Sequence, residues 1–320
     1  MQTQTARQWM VTHEWMVKPM QQTEWIQRRG LLVWLAEVFS VLGTGLYLVA
    51  LFVNSWWGAL IGWLIIVFLK LPFHFAYLGK PLRFWRTMPP FSGAWRTSWM
   101  ARGVFFTVVF TGIGLIQLVT SYLSTSPDIL TGQALSTMVT LNVVATVLAG
   151  IFVVLTGVYG GFVMSYCKSV PFWNTGILPI VILFAGIADG LALIMAVGLF
   201  TGGMDFKVIE SVSRITLIIN AVLMAIYLAK VRYQSLIAEL SVKELMVGRG
   251  AVVFWLGIVA LGIVVPLVIS FVSVYAGELS VPLLISAIVC HTAGAFALKY
   301  CLLKVGIHKP IVPKNSIHRA

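Results

Sequence analysis

Eight apolar stretches, each close to the length that crosses a bilayer, constrain this 320-residue chain more than any other feature. A helix needs about 20 apolar residues to cross the hydrocarbon core, where backbone groups must bond to each other. Only 10% of the residues are charged and 59% are hydrophobic, whereas soluble domains carry about 25% charged residues. We therefore predict an all-α polytopic membrane protein, with spans near 31–53, 57–78, 102–123, 138–166, 176–200, 208–230, 251–272 and 281–303.

The basic residues predict how these spans are oriented. An even number of spans places both termini on one side of the membrane, and all but Lys207 and Arg214 of the 22 lysines and arginines fall on that side. Because an excess of Lys and Arg marks cytoplasmic loops, both termini should be cytoplasmic. The net charge of +12 is then an orientation signal and does not indicate nucleic-acid binding.

The spans group into two sets with a tail at each end. We expect the first set to form one four-helix bundle and the second set another, joined near residues 168–175. The N-terminal tail either lies at the membrane interface through its tryptophans or docks a partner subunit. The predicted segments are 1–30 for this tail, 31–166 and 167–303 for the bundles, and 304–320 for a basic C-terminal tail.

Protonatable side chains recur at one depth within the spans. A rise of 1.5 Å per residue places all of them toward the cytoplasmic ends of their helices, and His74 and Tyr77, three residues apart, share a helix face. Charged residues are costly inside a membrane and mark functional sites. The residues of this layer are Glu37, His74, Tyr77 and Tyr159.

Two sequence blocks resemble a known family. Residues 159–165 read Y-G-G-F-V-M-S and are followed by V-P-F-W-N at 170–174 and L-P at 178–179; a second block, L-G-K-P-L-R-F-W-R, occupies 78–86. Together they resemble the NrfD/PsrC family, the membrane subunits of polysulfide- and nitrite-reductase complexes, and the related dimethyl-sulfoxide-reductase anchors. The resemblance implies a subunit that exchanges electrons with membrane quinone.

The resemblance gives the layer of protonatable groups a role. A quinone carbonyl needs a hydrogen-bond partner and a proton donor or acceptor, which Glu, His and Tyr can provide. The match to the family's Y-x-G stretch implies quinone binding for Tyr159, and we predict Glu37, His74 and Tyr77 as the other quinone-binding residues. The alternatives are a Glu37–Arg102 ion pair, a satisfied interfacial His74, and tyrosines of an aromatic belt.

A second polar set lies near the middle of the membrane. Asp189, Asn220 and His291 come from three different spans. They form either a hydrogen-bonded packing cluster or part of a proton path toward the non-cytoplasmic side.

The link between the second and third spans is basic and aromatic. It is either an ordinary positive-inside loop or a partner-docking surface, because arginines beside aromatic residues are enriched at interfaces. The predicted docking residues are Lys80, Arg83, Arg86, Arg96 and Arg102.

No redox centre is expected within this chain. Its three cysteines lack metal-ligand spacing, and His74 and His291 lie at different depths, which disfavours a bis-histidine haem. The resemblance instead implies an exchangeable menaquinone or ubiquinone, with iron–sulfur clusters and molybdopterin held only by two partner subunits.

Three functions remain open at this point. The first is a quinone-reactive anchor of a molybdopterin and iron–sulfur oxidoreductase in the inner membrane, with its docking face in the cytoplasm. That combination is similar to sulfite dehydrogenases, and tetrathionate, polysulfide and sulfoxide reductases are comparable. The others are a proton-coupled secondary transporter using Asp189 and His291, and a purely structural anchor.

Overall fold

The computed structural model describes residues 18–88, 92–125, 131–277 and 280–311. Within this part of the chain, eight helices are long and apolar enough to cross a membrane, as predicted. Residues 1–17 of the N-terminal tail and 312–320 of the C-terminal tail lie outside the described residues. The helices are α1 (Gly30–Phe52), α2 (Trp56–Tyr77), α3 (Trp99–Ser124), α4 (Gly132–Ser165), α5 (Leu178–Thr201), α6 (Phe206–Arg232), α7 (Val253–Ala276) and α8 (Val281–Lys304).

The bundle has two ends, which we name by the helix termini found there. At the first end α1, α3, α5 and α7 begin, while α2, α4, α6 and α8 finish; the opposite end is called the far end.

Several helices begin at a side-chain cap that satisfies a free backbone N–H. Ser55 accepts from Gly58 N, Ser98 from Ala101 N, and Asp205 from Lys207 N and Val208 N.

Helices α1 and α5 form the buried centre of the bundle. They cross so closely that a Cβ on Gly45 would collide with the backbone of Gly186, and one on Gly190 would collide with Gly45. Small residues permit this approach, which is the usual basis of helix packing in membranes. Because α1 and α5 come from the two predicted four-helix sets, the sets share a tight interface, and their division into separate bundles stays a prediction.

The first end is closed by segments that are distant in sequence. Strand Met20–Gln21 pairs antiparallel with Ile307–His308. Trp173, in the link before α5, is buried and donates from its indole nitrogen to the Leu302 carbonyl at 2.6 Å. Its ring stacks on Trp25 with centroids 5.1 Å apart. The link that carries the V-P-F-W-N block is therefore a packed part of the core, and it contacts both the segment before α1 and the last turn of α8.

Within the described ranges, two π-helical segments interrupt the regular helices. Residues Ile66–Lys70 end two positions before Pro72, and Val253–Val264 end two positions before Pro266. Proline offers no N–H and clashes with the carbonyl four residues earlier. The wider π turn relieves that clash and rotates the preceding residues, a feature often found at functional sites.

Candidate functional site

A cavity at the first end brings together the four predicted residues of the protonatable layer. It has a volume of about 70 Å³ and is lined by Glu37 of α1, His74 and Tyr77 of α2, and Tyr159 of α4. We call it the Glu37 cavity. Its other walls are largely apolar and include Trp25, Val33, Met100, Val163, Met164 and Leu303.

Glu37 is held by a buried lysine. The Nζ atom of Lys299, on α8, lies 3.1 Å from Glu37 Oε2, and Lys299 and Glu37 are only 3% and 8% exposed. Gly160 makes room for the carboxylate, because a Cβ at that position would collide with its oxygens. A buried charge needs such a partner, so Glu37 is fixed at the cavity wall.

The alternative that paired Glu37 with Arg102 is wrong. The Arg102 guanidinium instead donates to the carbonyls of Trp95 and Arg96, at 2.9 and 2.6 Å. It also lies 4.5 Å from the ring centroid of Trp99. Lys299 takes the position beside Glu37 because α8 packs against α1, which its place in the sequence did not reveal.

The Tyr159 ring is buried and enclosed. A Cβ on Gly103 of α3 would collide with this ring, so glycine is what allows α3 and α4 to close around it. On another side the ammonium of Lys70 lies 5.0 Å from the ring centroid. Lys70 is 2% exposed and donates to Thr107 Oγ1 at 2.6 Å. A cation near the ring face stabilises this placement of the phenol.

His74 presents an unused nitrogen in this region. Its ring centroid is 6.5 Å from that of Tyr159. The Nδ1 atom is buried and has no hydrogen-bond partner among the residues that the structure describes. Buried polar atoms are nearly always satisfied, so this nitrogen is suited to a polar group of a bound molecule.

The mid-membrane residues line a second cavity, which we call the Asp189 cavity. It has a volume of about 30 Å³, and its walls include Asp189 of α5, Asn220 of α6, and His291 and Lys299 of α8. His291 Nε2 lies 2.9 Å from Asp189 Oδ1. Three helices thus bring the predicted set together around one space.

The protonation of His291 follows from its two contacts. Nδ1 lies 2.9 Å from the Gly262 carbonyl oxygen, which can only accept, so Nδ1 carries a hydrogen. Pro266, four residues after Gly262, has no N–H to offer that carbonyl. Nε2 and Asp189 Oδ1 would then repel as two acceptors unless one proton is shared between them. The pair therefore holds a proton on one partner or the other.

Most of the sequence matches one known protein family. The family model described as "Polysulphide reductase, NrfD" matches residues 56–310. The protein belongs to the NrfD family.

Individual relatives agree with that assignment. The sequence is 29% identical over 164 residues to the C subunit of polysulfide reductase from Wolinella succinogenes, in a match covering 47% of this protein and 49% of that one. It is 26% identical over 264 residues to protein NrfD of Escherichia coli K12, covering 77% and 79%. The match thus spans about half the length of the first relative and more of the second. NrfD-family proteins are quinone-interacting membrane anchors of oxidoreductase complexes.

The predicted docking residues of this NrfD-family protein lie at the first end. Arg83 and Arg86 belong to the 3-10 helix Pro81–Thr87, and Arg96 to the short helix Ala94–Thr97. Lys80 and these three arginines are exposed, whereas Arg102 is half-buried. Exposed Leu82 and Trp85 stand among them. The cavity and this basic surface share one end of the bundle.

Two residues of the site, Lys70 and Lys299, are not among those predicted from the sequence. Both lie inside predicted spans, yet a lysine near a helix end usually extends to the interface and then indicates only orientation. The signal in the sequence that could have identified these two lysines is their position along the helix. Each lies a full turn or more inside the end of its helix. A lysine at that depth needs a buried partner.

Metal ligands do not cluster in the part of the bundle that the structure describes. Across those residues, no three His, Cys, Asp or Glu side chains gather as a metal-ligand group. His74 and His291 line different cavities. Each of these histidines can donate and accept hydrogen bonds and can exchange a proton.

Proposed function

We propose that this protein is the quinone-reactive membrane subunit of an oxidoreductase complex and passes electrons between membrane quinone and a docked iron–sulfur subunit. The observation that carries the proposal is the Glu37 cavity, in which protonatable side chains from three helices face a largely apolar space. Ligand sites of this kind are mostly apolar with a few converging polar groups.

The cavity residues fit a quinone headgroup. When bound, a quinone accepts two electrons and two protons to become the quinol, and the quinol releases the same. Tyr159 and His74 can hydrogen-bond the two carbonyl oxygens, and the unpartnered Nδ1 of His74 is available for this. Glu37 can take up or deliver a proton, with Lys299 balancing its charge. Tyr77 closes the wall next to the exposed loop.

We further propose that the partner docks at the first end. Electrons move between centres only over short distances, so the iron–sulfur subunit must approach the Glu37 cavity. The exposed Lys80, Arg83, Arg86 and Arg96 surround the exposed Trp85 at that end, a combination typical of interfaces. By the positive-inside rule this end faces the cytoplasm, and the membrane is the inner membrane.

The remaining subunit is proposed to be a molybdopterin enzyme that acts on a sulfur compound such as sulfite, polysulfide, tetrathionate or a sulfoxide. The relative named as a polysulfide reductase subunit supports a sulfur substrate. Mild solubilisation, followed by identification of the co-purifying polypeptides and their iron and molybdenum content, tests this assignment. Purification of the protein without metal-containing partners would contradict it.

The quinone site is tested by substitutions in its wall. We expect Tyr159→Phe or Glu37→Gln to slow quinone-linked electron transfer by about a hundredfold, since a positioned acid–base group contributes at least that much. Bound quinone, extracted from the purified complex, should fall in parallel. The matched controls are Tyr275→Phe and Glu239→Gln, because Tyr275 is 96% exposed and Glu239 lies on the surface helix Leu236–Met246. Both controls should retain full activity.

Two other outcomes would replace the proposal. Unchanged electron transfer with altered solute uptake would favour a secondary transporter built on Asp189 and His291. Absence of bound quinone, together with substitutions that affect only assembly, would favour a structural anchor. As part of the main proposal, we assign Asp189, Asn220 and His291 to a proton path, because the pair of Asp189 and His291 holds a proton in the middle of the membrane.

A further inference from the structure

Three long side chains of α2 reach across to α3 at regular intervals. Trp56 and Trp63 donate from their indole nitrogens to backbone carbonyls of α3, at 3.0 and 2.9 Å. Seven residues after Trp63, Lys70 donates to Thr107 Oγ1 of α3 at 2.6 Å. We call these three contacts the α2–α3 ladder. Its first two donors are tryptophans, whereas the third, nearest the first end, is a lysine.

Lys70 is charged although its place in the ladder does not require a charge. Trp56 and Trp63 show that a neutral N–H donor is enough to hold α2 against α3. Lys70 is buried, and among the described residues no carboxylate lies within ion-pair distance of its ammonium. A buried charge without such a partner costs stability. Helix packing alone therefore does not account for this lysine.

The charge of Glu37 does not account for it either. The Glu37 carboxylate already has the ammonium of Lys299 at 3.1 Å. One buried cation thus balances one buried anion there, and Lys70 brings a second cation to the same end of the bundle.

The group that Lys70 faces is the ring of Tyr159. Its Nζ atom lies 5.0 Å from the ring centroid. Thr107 holds the ammonium in that place, because the Thr107 hydroxyl gives its own hydrogen to the Gly103 carbonyl at 2.8 Å and its oxygen accepts from Lys70. Gly103 is also the residue whose lack of a side chain makes room for the Tyr159 ring. One turn of α3 therefore fixes both the cation and the phenol.

A cation over this ring acts on the hydroxyl that faces the Glu37 cavity. Negative charge on a phenol oxygen spreads into the ring, and a cation over the ring face stabilises that charge more strongly away from water. Within the proposed function, Tyr159 hydrogen-bonds a quinone oxygen. As the quinone gains electrons, this oxygen draws on the hydroxyl hydrogen and negative charge builds up on the phenol. Fixed charges aimed at developing charge are a main source of rate enhancement.

We propose that Lys70 is a positioning residue of the quinone site, which acts through Tyr159 and stabilises the charge that develops on its phenol during electron transfer. The proposal rests on the proposed function. Lys70 is not part of the wall of the Glu37 cavity, so it does not contact a quinone bound there. It should therefore change the rate of electron transfer and leave quinone binding as it is.

Lys70→Met tests the charge, because it keeps the length of the side chain. Replacing a buried charge with an apolar side chain of similar volume is often neutral or stabilising, so the complex should assemble. The kcat of the purified complex, with a short-chain menaquinone and a short-chain ubiquinone as probes, should fall by about tenfold, less than for a group that contacts the reacting oxygen. The KM for each probe and the content of co-purified quinone should not change.

Trp63→Phe is the matched control for the ladder. It removes the neighbouring donor to α3 without changing a charge. It should lower the thermal stability of the complex slightly and leave both kcat and KM unchanged. An equal loss of kcat in Trp63→Phe and Lys70→Met would contradict the proposal, because contact between α2 and α3 would then set the rate.

A double variant tests whether Lys70 acts through Tyr159. Two residues that work as one unit have non-additive effects. Once Tyr159→Phe has removed the hydroxyl, adding Lys70→Met should not lower kcat any further. A structural loss at Lys70 would instead lower kcat by the same factor with and without the hydroxyl.

Thr107 offers a milder variant for the case in which Lys70→Met does not assemble. Thr107→Val keeps the shape of the side chain but has no oxygen to hold the ammonium, whereas Thr107→Ser keeps that oxygen. Thr107→Val should therefore lower kcat at constant KM, and Thr107→Ser should not.

Two further results would overturn the proposal. One is an unchanged kcat in both Lys70→Met and Thr107→Val. The other is a loss of equal size in the presence and absence of the Tyr159 hydroxyl. Either result leaves the quinone site standing if Tyr159→Phe alone still slows electron transfer. If Tyr159→Phe has no effect, the proposed function itself fails.

Discussion

Two buried acid–base pairs, Glu37–Lys299 and Asp189–His291, lie in neighbouring cavities but are built differently. The imidazole of His291 lies between two oxygen atoms, with Nδ1 2.9 Å from the Gly262 carbonyl oxygen and Nε2 2.9 Å from Asp189 Oδ1. Lys299 is held through Glu37, at 3.1 Å, by the tip of a long flexible stem. A rigid pair is suited to holding a proton and a movable one to transferring it. Within the proposed function, we assign proton storage to the Asp189–His291 pair and proton exchange to the Glu37–Lys299 pair.

The largest expected loss of stability comes from substitution of Lys299, the flexible partner in the Glu37–Lys299 pair. Lys299→Met leaves Glu37 buried without its counter-charge, which costs about 3–5 kcal/mol when a buried pair is broken. Unfolding in mixed micelles should show this loss in the free energy of unfolding. The double variant Glu37→Gln with Lys299→Met, which leaves no charge, should recover most of it. If the single and double variants are equally stable, the loss of stability in Lys299→Met does not come from the unpaired charge of Glu37.

A smaller loss of stability is expected when Gly160, the glycine that makes room for Glu37, is substituted. Gly160→Ala brings a methyl group against the Glu37 carboxylate, and overpacking of this kind costs about 1–3 kcal/mol. The control lies on the same helix: a Cβ on Gly150 meets only Leu51, at 3.8 Å. Gly150→Ala should therefore be neutral or stabilising by up to about 1 kcal/mol. Equal unfolding free energies for both variants would mean that Glu37 can move aside freely.

The smallest loss of stability is expected from a substitution in the Asp189–His291 pair. In Asp189→Asn, the neutral His291 keeps its Nδ1 hydrogen on Gly262, and its Nε2 lone pair can accept from the new amide. Every group stays paired, so the loss should be about 1 kcal/mol, the value of one ordinary hydrogen bond. The same unfolding assay measures it. A loss as large as that of Lys299→Met would show that the Asp189–His291 pair is charged and needs its carboxylate.

Many residues of the candidate site could be predicted from the sequence, because the depth of a residue in the membrane follows from its position along its helix. At 1.5 Å per residue, Glu37, His74 and Tyr159 had to lie near one membrane face, and the cavity that they line is found there. Lys70 and Lys299 could not be assigned in this way. A lysine near a helix end indicates only orientation until the neighbouring helix is known.

The amino-acid sequence by itself determined the eight helices of the described residues that are long and apolar enough to cross a membrane, because apolar stretches of this length have no other way to satisfy their backbone in lipid. It also determined which side chains share a depth. Only the tertiary structure decided which of them meet, since rotation about each helix axis and the choice of neighbours depend on contacts such as Gly45 with Gly186. Those contacts brought Lys299 to Glu37, and the packing of α5 with α8 brought His291 to Asp189.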